Sequence, residues 1–272
     1  MRGSPAHTPR EPKYLFKHWP VIARSIRSAA GVALFLDFDG TLAPFRRRPE
    51  QVRMSQQTRD VIERLVDDPR MSVYVLSGRR RADVERRVAV RGVRCFGLHG
   101  WEGARPAVPH VRVARLLRQA RHQVRRRLMG VRDVWIEEKG PIFAIHVRGA
   151  PQACVRRADN IVREVMRSFR PDLRVMRGNQ VWEITPREMR GKGAAVRTLL
   201  TPRSAAPLAV YVGDDITDES AFSVLRDGIT VVVGARRPTK AKFALPGPTQ
   251  VRLLLQKLGR ELRVANRETP GI

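Results

Sequence analysis

Short apolar runs alternate with segments of helical spacing in the first part of the chain. The run Val32–Leu36 is apolar throughout, which is typical of a strand buried on both faces of a parallel sheet. The pattern that follows predicts helices over 55–66 and 81–90 and strands over 72–76 and 94–98. Because strand and helix alternate in this order, we expect an α/β fold whose parallel sheet has helices on both faces.

The alternation changes at about residue 105. From there the sequence predicts, in order, a helix over 111–128, strands over 134–138 and 143–148, a helix over 152–168, and strands over 174–177 and 181–185. The order αββαββ is that of an antiparallel sheet backed by helices. Residues 105–186 are therefore predicted to form an inserted α+β cap domain.

The parallel pattern resumes after the cap. The sequence predicts helices over 192–200, 219–226 and 249–263 and strands over 208–212 and 229–233. We therefore expect one core domain built from residues 28–104 and 187–272. Residues 1–27 are predicted to be an N-terminal extension that leads into a short helix at 19–28 and has no chemistry of its own.

The chain is strongly basic, with 53 Lys and Arg against 26 Asp and Glu and a net charge of +27. Such a charge suits a nucleic-acid-binding protein, because cations release counterions from phosphate backbones. The arginines are scattered from Arg2 to Arg267, and no basic stripe is interleaved with aromatic residues. We therefore favour compositional bias and expect no specific nucleic-acid partner, although a positive field also favours a phosphorylated substrate.

Cysteine content and hydropathy indicate the compartment. Cys95 and Cys154 are far apart and lack metal-ligand spacing, so neither a disulfide nor a zinc site is predicted. The longest apolar stretch, Ala29–Leu36, is too short to cross a bilayer, and the first residues do not resemble a signal peptide. We expect a soluble cytoplasmic protein with no membrane partner.

Three predicted strands of the core end in polar residues, namely Asp37-x-Asp39, Ser77 and Asp214-Asp215. The carboxyl ends of parallel strands meet at one edge of the sheet, so these side chains are expected to converge. Such an oxygen-rich pocket suits Mg²⁺, and Lys192 could neutralise the remaining charge. Each feature alone is common in structural loops, but their joint occurrence in this order favours a site.

The set is suited to phosphoryl transfer. A carboxylate can attack phosphorus only if the negative charge of the phosphate is offset, which a metal ion, an ammonium group and a hydroxyl can do together. A second carboxylate two residues away can protonate the leaving oxygen and later deprotonate the attacking water. Asp218 is interpreted as a supporting residue that orients the metal ligands and Lys192.

Four motifs carry a resemblance to a known superfamily. Leu36-Asp37-Phe38-Asp39-Gly40-Thr41-Leu42, Ser77, Lys192 and Gly213-Asp214-Asp215 resemble, in order, the four motifs of haloacid-dehalogenase (HAD) phosphatases. Further segments make the chain similar to the trehalose-6-phosphate phosphatase family of that superfamily, over about residues 30–258: Leu76-Ser77-Gly78-Arg79, His99-Gly100-x-Glu102, Glu137-Glu138-Lys139-Gly140, His146-Val147-Arg148, Gly191-Lys192-Gly193 and Gly213-Asp214-Asp215-Ile216-Thr217-Asp218-Glu219-x-x-Phe222.

The resemblance implies a Rossmann-like HAD core and a role for each motif. It implies Asp37 as nucleophile, Asp39 as general acid and base, and Ser77 and Lys192 as phosphoryl-binding groups. It implies that Mg²⁺ is held by the Asp37 side chain, the Asp39 backbone carbonyl and Asp214, with Asp215 and Asp218 supporting these ligands. The substrate-binding residues that we predict on this basis are Gly78, Arg79, Glu102, Glu137, Lys139, Arg148, Glu183 and Thr185.

The residue pattern of the cap also favours sugar binding independently of the resemblance. Strand alternation sends Glu137, Lys139 and Glu183 to one sheet face, where carboxylates and an ammonium group suit sugar hydroxyls. The alternative is that these charges are simply solvated on an exposed face. His99 and His146 are expected to pack or to form hydrogen bonds rather than to bind metal, because the predicted site already uses oxygen ligands.

The leading hypothesis is a Mg²⁺-dependent phosphatase that hydrolyses trehalose 6-phosphate to trehalose and phosphate through an aspartyl-phosphate intermediate. Its partners would be the sugar phosphate and, through the pathway, a trehalose-6-phosphate synthase. One alternative is a HAD phosphatase for another glycosyl phosphate, such as a sucrose, glucosylglycerate or mannosylglycerate phosphate. The other is a basic nucleic-acid-binding protein with a vestigial site, against which the intact four-part site argues.

Overall fold

The computed structural model describes residues 11–46, 48–103, 108–200, 206–234 and 238–268. Its helices are α1 Trp19–Ser28, α2 Gln56–Val66, α3 Arg81–Val88, α4 Val111–Leu128, α5 Gln152–Arg167, α6 Lys192–Leu199, α7 Glu219–Val224 and α8 Pro248–Glu268. Its strands are β1 Lys13–Tyr14, β2 Val32–Leu36, β3 Met71–Leu76, β4 Arg94–Phe96, β5 Trp135–Glu138, β6 Phe143–His146, β7 Leu173–Gly178, β8 Val181–Pro186, β9 Leu208–Gly213, β10 Ile229–Val233 and β11 Phe243–Leu245.

The larger sheet is parallel throughout and has the order β1-β11-β10-β9-β2-β3-β4. All residues of the central strand β2 are buried, as its unbroken apolar sequence predicts. Leu34 and Leu36 pack into one apolar cluster with α2 and α8, whereas Ala33 and Phe35 pack into a second cluster with α6 and α7. Helices therefore cover both faces of the sheet, and the predicted α/β fold class is confirmed.

Two strands at one edge of this sheet were not predicted. β1 pairs with β11, so that Lys13 lies opposite Phe243 and Tyr14 opposite Ala244. Leu15 follows β1 directly and is fully buried in the cluster that also contains α8 residues. The described part of the predicted N-terminal extension therefore packs on the core, while residues 1–10 lie outside the described residues.

The smaller sheet is antiparallel and has the order β5-β6-β8-β7. Side chains of α4 and α5 share one apolar cluster with Phe143, Ile145, Trp182 and Ile184, so both helices cover the same face of this sheet. The turn from β7 to β8 is Asn179-Gln180, one residue later than the predicted Gly178-Asn179, because Gly178 is the last residue of β7 and pairs with Val181. The αββαββ order is confirmed, whereas the exact cap boundaries stay a prediction because residues 104–107 lie outside the described residues.

The order of the larger sheet determines where the polar strand ends meet. β9, β2 and β3 are neighbours, and they are the strands followed by Asp214, Asp37 and Ser77. Within the described residues, no helix combines the length and the apolar character that a membrane span requires.

Candidate active site

Main-chain hydrogen bonds fix the loops that follow the central strands. The Asp37 N–H donates to the Val212 carbonyl oxygen at 2.9 Å, and the Ser77 N–H donates to the Phe96 carbonyl oxygen at 3.0 Å. Both bonds extend the sheet ladder by one residue, so Asp37 and Ser77 leave the sheet at the same edge. Ser77 is fully buried, and its hydroxyl oxygen accepts the Arg79 N–H at 3.1 Å.

Lys192, the first residue of α6, joins two carboxylates of the core. Its Nζ donates to Oδ1 of Asp37 at 2.7 Å and to Oδ1 of Asp218 at 2.8 Å. Burial disfavours the ammonium group, but the carboxylates of Asp218 and Asp37 outweigh it and hold the pKa of Lys192 well above its usual value. Lys192 is therefore a fixed positive charge beside Asp37.

One lysine does not balance the acidic groups around Asp37. Burial, together with the negative charges of Asp218 and Asp39, raises the pKa of Asp37 to about 7 despite Lys192. Burial and the nearby Asp37 carboxylate also raise the pKa of Asp214 well above its usual value. Nucleophilic attack requires an ionised carboxylate, so these surroundings favour a further cation.

The carboxylates suit a divalent cation. Oxygen atoms of Asp37, Asp214 and Asp218 lie within 4.8 Å of one another. Asp218 already accepts hydrogen bonds from Lys192, from the Tyr211 hydroxyl at 2.7 Å and from the Asp215 N–H at 2.8 Å. Hard cations prefer carboxylate oxygens. Because the Asp218 carboxylate already accepts these three hydrogen bonds, Asp37 and Asp214 are the better candidates for metal ligands.

The Asp39 carboxylate lies in a bidentate ion pair. Arg79 donates to it through Nε at 2.8 Å and through Nη2 at 2.7 Å, and Arg79 also binds Asp83 at 2.9 Å. Both carboxylate oxygens of Asp39 therefore already accept hydrogen bonds from Arg79. Arg79 was predicted to bind substrate, and it lines the cleft, but its guanidinium already donates to Asp39, to Asp83 of α3 and to the Pro49 carbonyl oxygen.

The cap contributes a second buried ion pair. Nζ of Lys139 donates to Oε1 of Glu183 at 2.7 Å, and also to the Gly78 carbonyl oxygen of the core at 3.1 Å. Oε2 of Glu183 is hydrogen bonded to Nε2 of His99, which is also a core residue. Burial alone would raise the pKa of Glu183, but Lys139 and His99 outweigh it and lower the pKa. These contacts connect the cap sheet directly to the core.

Two further cap residues from the prediction lie at the same cleft. Glu137 is hydrogen bonded to Nε2 of His146 at 2.7 Å. Arg148 donates to the Asn179 carbonyl oxygen at 3.0 Å, and its guanidinium lies 4.5 Å from the centre of the Phe45 ring. Arg148 therefore bridges the cap and the loop that follows the Asp37-x-Asp39 motif.

The cleft between cap and core contains about 940 Å³ of empty space, including its open mouth. The predicted site residues that line it are Asp37, Asp39, Gly78, Arg79, Glu137, Lys139, Arg148, Glu183, Lys192 and Asp215. Ser77, Asp214 and Asp218 lie behind this surface and contact or adjoin the lining residues.

Two predicted substrate-binding residues are not brought to the cleft. Glu102 is buried and accepts hydrogen bonds from the Arg80 guanidinium at 2.8 Å and from the Arg81 N–H at 2.7 Å. Its carboxylate therefore caps the start of α3, where a negative charge complements the helix dipole. Thr185 shares a face of β8 with Glu183 but is fully covered, so it presents no surface to the cleft.

Several lining residues were missed from the sequence, namely Phe45, His99, Trp135, His146, Asn179 and Gln180. His99 and His146 were expected to form hydrogen bonds, but not to line a site. Strand alternation could have found Trp135, because it is two residues before Glu137 on β5. Phe45 carries no such signal, since its place depends on a contact with the cap.

Comparisons with known proteins agree with this geometry. Residues 35–249 match the sequence model of a family described as trehalose-phosphatase. The chain is 35% identical over 248 residues to the trehalose-phosphate phosphatase of Mycobacterium tuberculosis, and 34% identical over 245 residues to that of Mycobacterium ulcerans. These alignments cover 86% and 85% of this chain. The chain spans 62% of the length of each of these relatives.

Solved structures show the same fold. The C-terminal domain of Candida albicans trehalose-6-phosphate phosphatase is similar with a TM-score of 0.81 and 21% identity, covering 94% of this chain and 99% of that chain. A trehalose-6-phosphate phosphatase related protein is similar with a TM-score of 0.68 and 24% identity, covering 84% of this chain and 97% of that chain.

Proposed function

Because the chain belongs to the trehalose-phosphatase family, we propose that it is a Mg²⁺-dependent phosphatase that converts trehalose 6-phosphate to trehalose and phosphate. One observation carries this proposal. The Asp37–Lys192 pair of the core lines one wall of the cleft, and the Lys139–Glu183 pair of the cap lines the opposite wall. One wall is suited to phosphate chemistry, and the other is suited to a polar sugar.

Asp37 is proposed as the nucleophile. Its carboxylate oxygen attacks phosphorus, an aspartyl-phosphate forms, and the bond between phosphorus and the 6-oxygen of the sugar breaks. Lys192 and the Ser77 hydroxyl offset the negative charge of the phosphoryl group. Asp39 donates a proton to the leaving sugar oxygen and takes one from the water that hydrolyses the intermediate. For this role, Asp39 must give up at least part of its pairing with Arg79.

Mg²⁺ would be held by the carboxylates of Asp37 and Asp214 and by the backbone carbonyl of Asp39. When bound, the ion would supply the positive charge that the raised pKa values of Asp37 and Asp214 call for. Asp218 holds Lys192 in place, and its side chain accepts the Asp215 N–H while the Asp215 side chain completes a reciprocal capping box. Asp215 and Asp218 thereby fix the loop that carries Asp214.

The cap residues Glu137, Lys139, Arg148 and Glu183 are proposed to bind the sugar. Their carboxylates accept hydroxyl hydrogens and their cations donate to hydroxyl oxygens, so together they match a ring with many hydroxyls. The net charge of +27 favours the approach of an anionic substrate. We place the reaction in the cytoplasm, after a trehalose-6-phosphate synthase that would supply the substrate.

A panel of sugar phosphates tests the proposal. Phosphate release would be measured for trehalose 6-phosphate and for sucrose, glucosylglycerate and mannosylglycerate phosphates, with Mg²⁺ present and after its removal by EDTA. We expect trehalose 6-phosphate to give the highest kcat/KM, and EDTA to abolish the release until Mg²⁺ is restored. Faster hydrolysis of another glycosyl phosphate would show that trehalose 6-phosphate is not the preferred substrate. Full activity in EDTA would contradict the metal requirement.

A further inference from the structure

Trp135 and His146 form an aromatic pair on the cleft face of the cap sheet. They lie directly opposite each other in the antiparallel pairing of β5 with β6. Their rings are stacked, with centroids 4.0 Å apart and planes 8° from parallel. The imidazole is fixed from its other side, because its Nε2 is hydrogen bonded to Glu137. The indole is therefore held in place by a neighbour that is itself held.

The indole nevertheless remains accessible. Trp135 is 40% exposed and lines the cleft, whereas Trp182 of the same sheet is buried in the apolar cluster under α4 and α5. A single exposed aromatic side chain is ordinary, but the indole of Trp135 both faces the cleft and is held by the stacked imidazole. The fold does not use the exposed surface of Trp135 for its own packing.

The next row of the same sheet face is polar. Glu137 lies opposite Ala144 on β6, and Ala144 lies opposite Glu183 on β8. The Lys139 ammonium lies between the two carboxylates, 2.7 Å from Oε1 of Glu183 and 3.8 Å from Oε2 of Glu137. The cap face therefore presents an aromatic row beside a row of carboxylates.

This arrangement matches the chemistry of a sugar ring. A pyranose has C–H groups on its faces and hydroxyls around its edge, so it can lie against a flat aromatic surface while its hydroxyls donate to carboxylates. The phosphoryl group belongs at Asp37 and Lys192 in the core, whereas Trp135 belongs to the cap. The ring that meets Trp135 should accordingly be the ring without the phosphate.

We infer that Trp135 is a specificity-determining residue whose indole stacks against the non-phosphorylated ring of a disaccharide phosphate. The inference rests on the proposed function and deepens it, because it assigns the recognition of the second ring to one side chain. On this inference, a monosaccharide phosphate bound at Asp37 has no second ring to stack against Trp135.

The test compares two substrates in variants of Trp135. Trehalose 6-phosphate carries both rings, and glucose 6-phosphate carries only the phosphorylated one. We expect Trp135→Ala to lower kcat/KM for trehalose 6-phosphate about tenfold, mainly through KM, and to change kcat/KM for glucose 6-phosphate less than twofold. Trp135→Phe should restore most of the loss, whereas Trp135→Leu, which is apolar but not flat, should not. The inhibition constant of trehalose against glucose 6-phosphate should rise about tenfold in Trp135→Ala.

Leu253→Ala is the matched control, because Leu253 on α8 is equally exposed and lies outside the cleft. It should leave both substrates unchanged. A wild-type chain that releases no phosphate from trehalose 6-phosphate would overturn the proposed function. If the wild type is active, three results would overturn this inference and leave the proposed function intact. They are an unchanged kcat/KM in Trp135→Ala, an equal loss of kcat/KM on both substrates in that variant, and an activity of Trp135→Leu as high as that of Trp135→Phe.

Discussion

Nζ of Lys192 lies 2.7 Å from Oδ1 of Asp37, although 155 positions separate the two residues in the sequence. The whole cap is inserted between them. The contact exists because β2 and β9 are neighbours in the sheet and α6 packs beside them, which brings the two halves of the core together. Asp37 consequently has a permanent positive partner before any substrate binds.

Asp37→Asn tests the role of this carboxylate. Asparagine keeps the size of the side chain but is a poor nucleophile and a poorer metal ligand, so we expect at least a thousandfold loss of kcat, about 4 kcal/mol of barrier. The melting temperature should change little. Asp227→Asn, the same substitution at an exposed position, should keep full activity. More than a tenth of the wild-type rate in Asp37→Asn would exclude covalent catalysis by Asp37.

Strands that are buried along their whole length were predictable from the sequence. The unbroken apolar run of β2 followed by Asp37-x-Asp39 predicted both the central strand and the edge at which the chemistry lies. β1 and β11 were missed, because they have only two and three residues and neither lies in the run of alternating strands and helices that predicted the equally short β4. Strands this short exist through pairing with a remote neighbour, which a local pattern does not contain.

The same limit explains the corrections at the site. A carboxylate near a strand end, such as Glu102, is equally suited to a ligand and to an arginine of its own chain, and in the structure Arg80 binds it. Thr185 has the correct alternation for the cleft face, but it has no exposed surface in the folded protein. Periodicity predicts the face on which a side chain lies, whereas the packing of two domains decides whether that side chain remains accessible.

Lys139→Ala and Glu183→Ala test whether the cap recognises the sugar. Both side chains line the cleft from the cap. Each variant should lower kcat/KM for trehalose 6-phosphate by an amount that corresponds to about 2 kcal/mol or more of transition-state stabilisation, because sugar hydroxyls would lose buried partners. Hydrolysis of p-nitrophenyl phosphate, which is too small to reach the cap, should change little. Asp39→Asn should impair both substrates. Equal losses on the two substrates in the cap variants would indicate a role in folding or chemistry instead.

Duplex DNA binding tests whether the charge of +27 serves a nucleic acid. If the charge reflects composition, binding should be weak and should fall steeply as salt rises, since only counterion release drives it. Fluorescence anisotropy of labelled DNA at about 0.05 M and 0.15 M salt measures both quantities. Submicromolar affinity with a defined stoichiometry at the higher salt would support the nucleic-acid-binding alternative.

Glu183→Gln tests the buried ion pair through the pH dependence of stability. Glu183 pairs with Lys139 and His99, and these partners lower its pKa below the ordinary value of 4.5. A lowered pKa in the folded state means that the contribution of Glu183 to stability is present above about pH 4.5 and is lost as the pH falls through the folded-state pKa. The substitution removes the nearer charged partner of the Lys139 ammonium and leaves it, within the described residues, only Glu137, at 3.8 Å.

We therefore expect urea unfolding at pH 7 to give a free energy of unfolding about 2 kcal/mol lower for Glu183→Gln than for the wild type. The difference should shrink as the pH is lowered below about 4.5, because Glu183 then takes up protons in the unfolded wild type while it stays ionised in the folded protein, whereas glutamine titrates in neither state. Glu138→Gln is the control, since Glu138 pairs with arginines on the exposed side of the cap and surface pairs contribute little. A difference between wild type and Glu183→Gln that stays constant from pH 7 to the acid limit would show that the ionised Glu183 carboxylate does not stabilise the contact between cap and core.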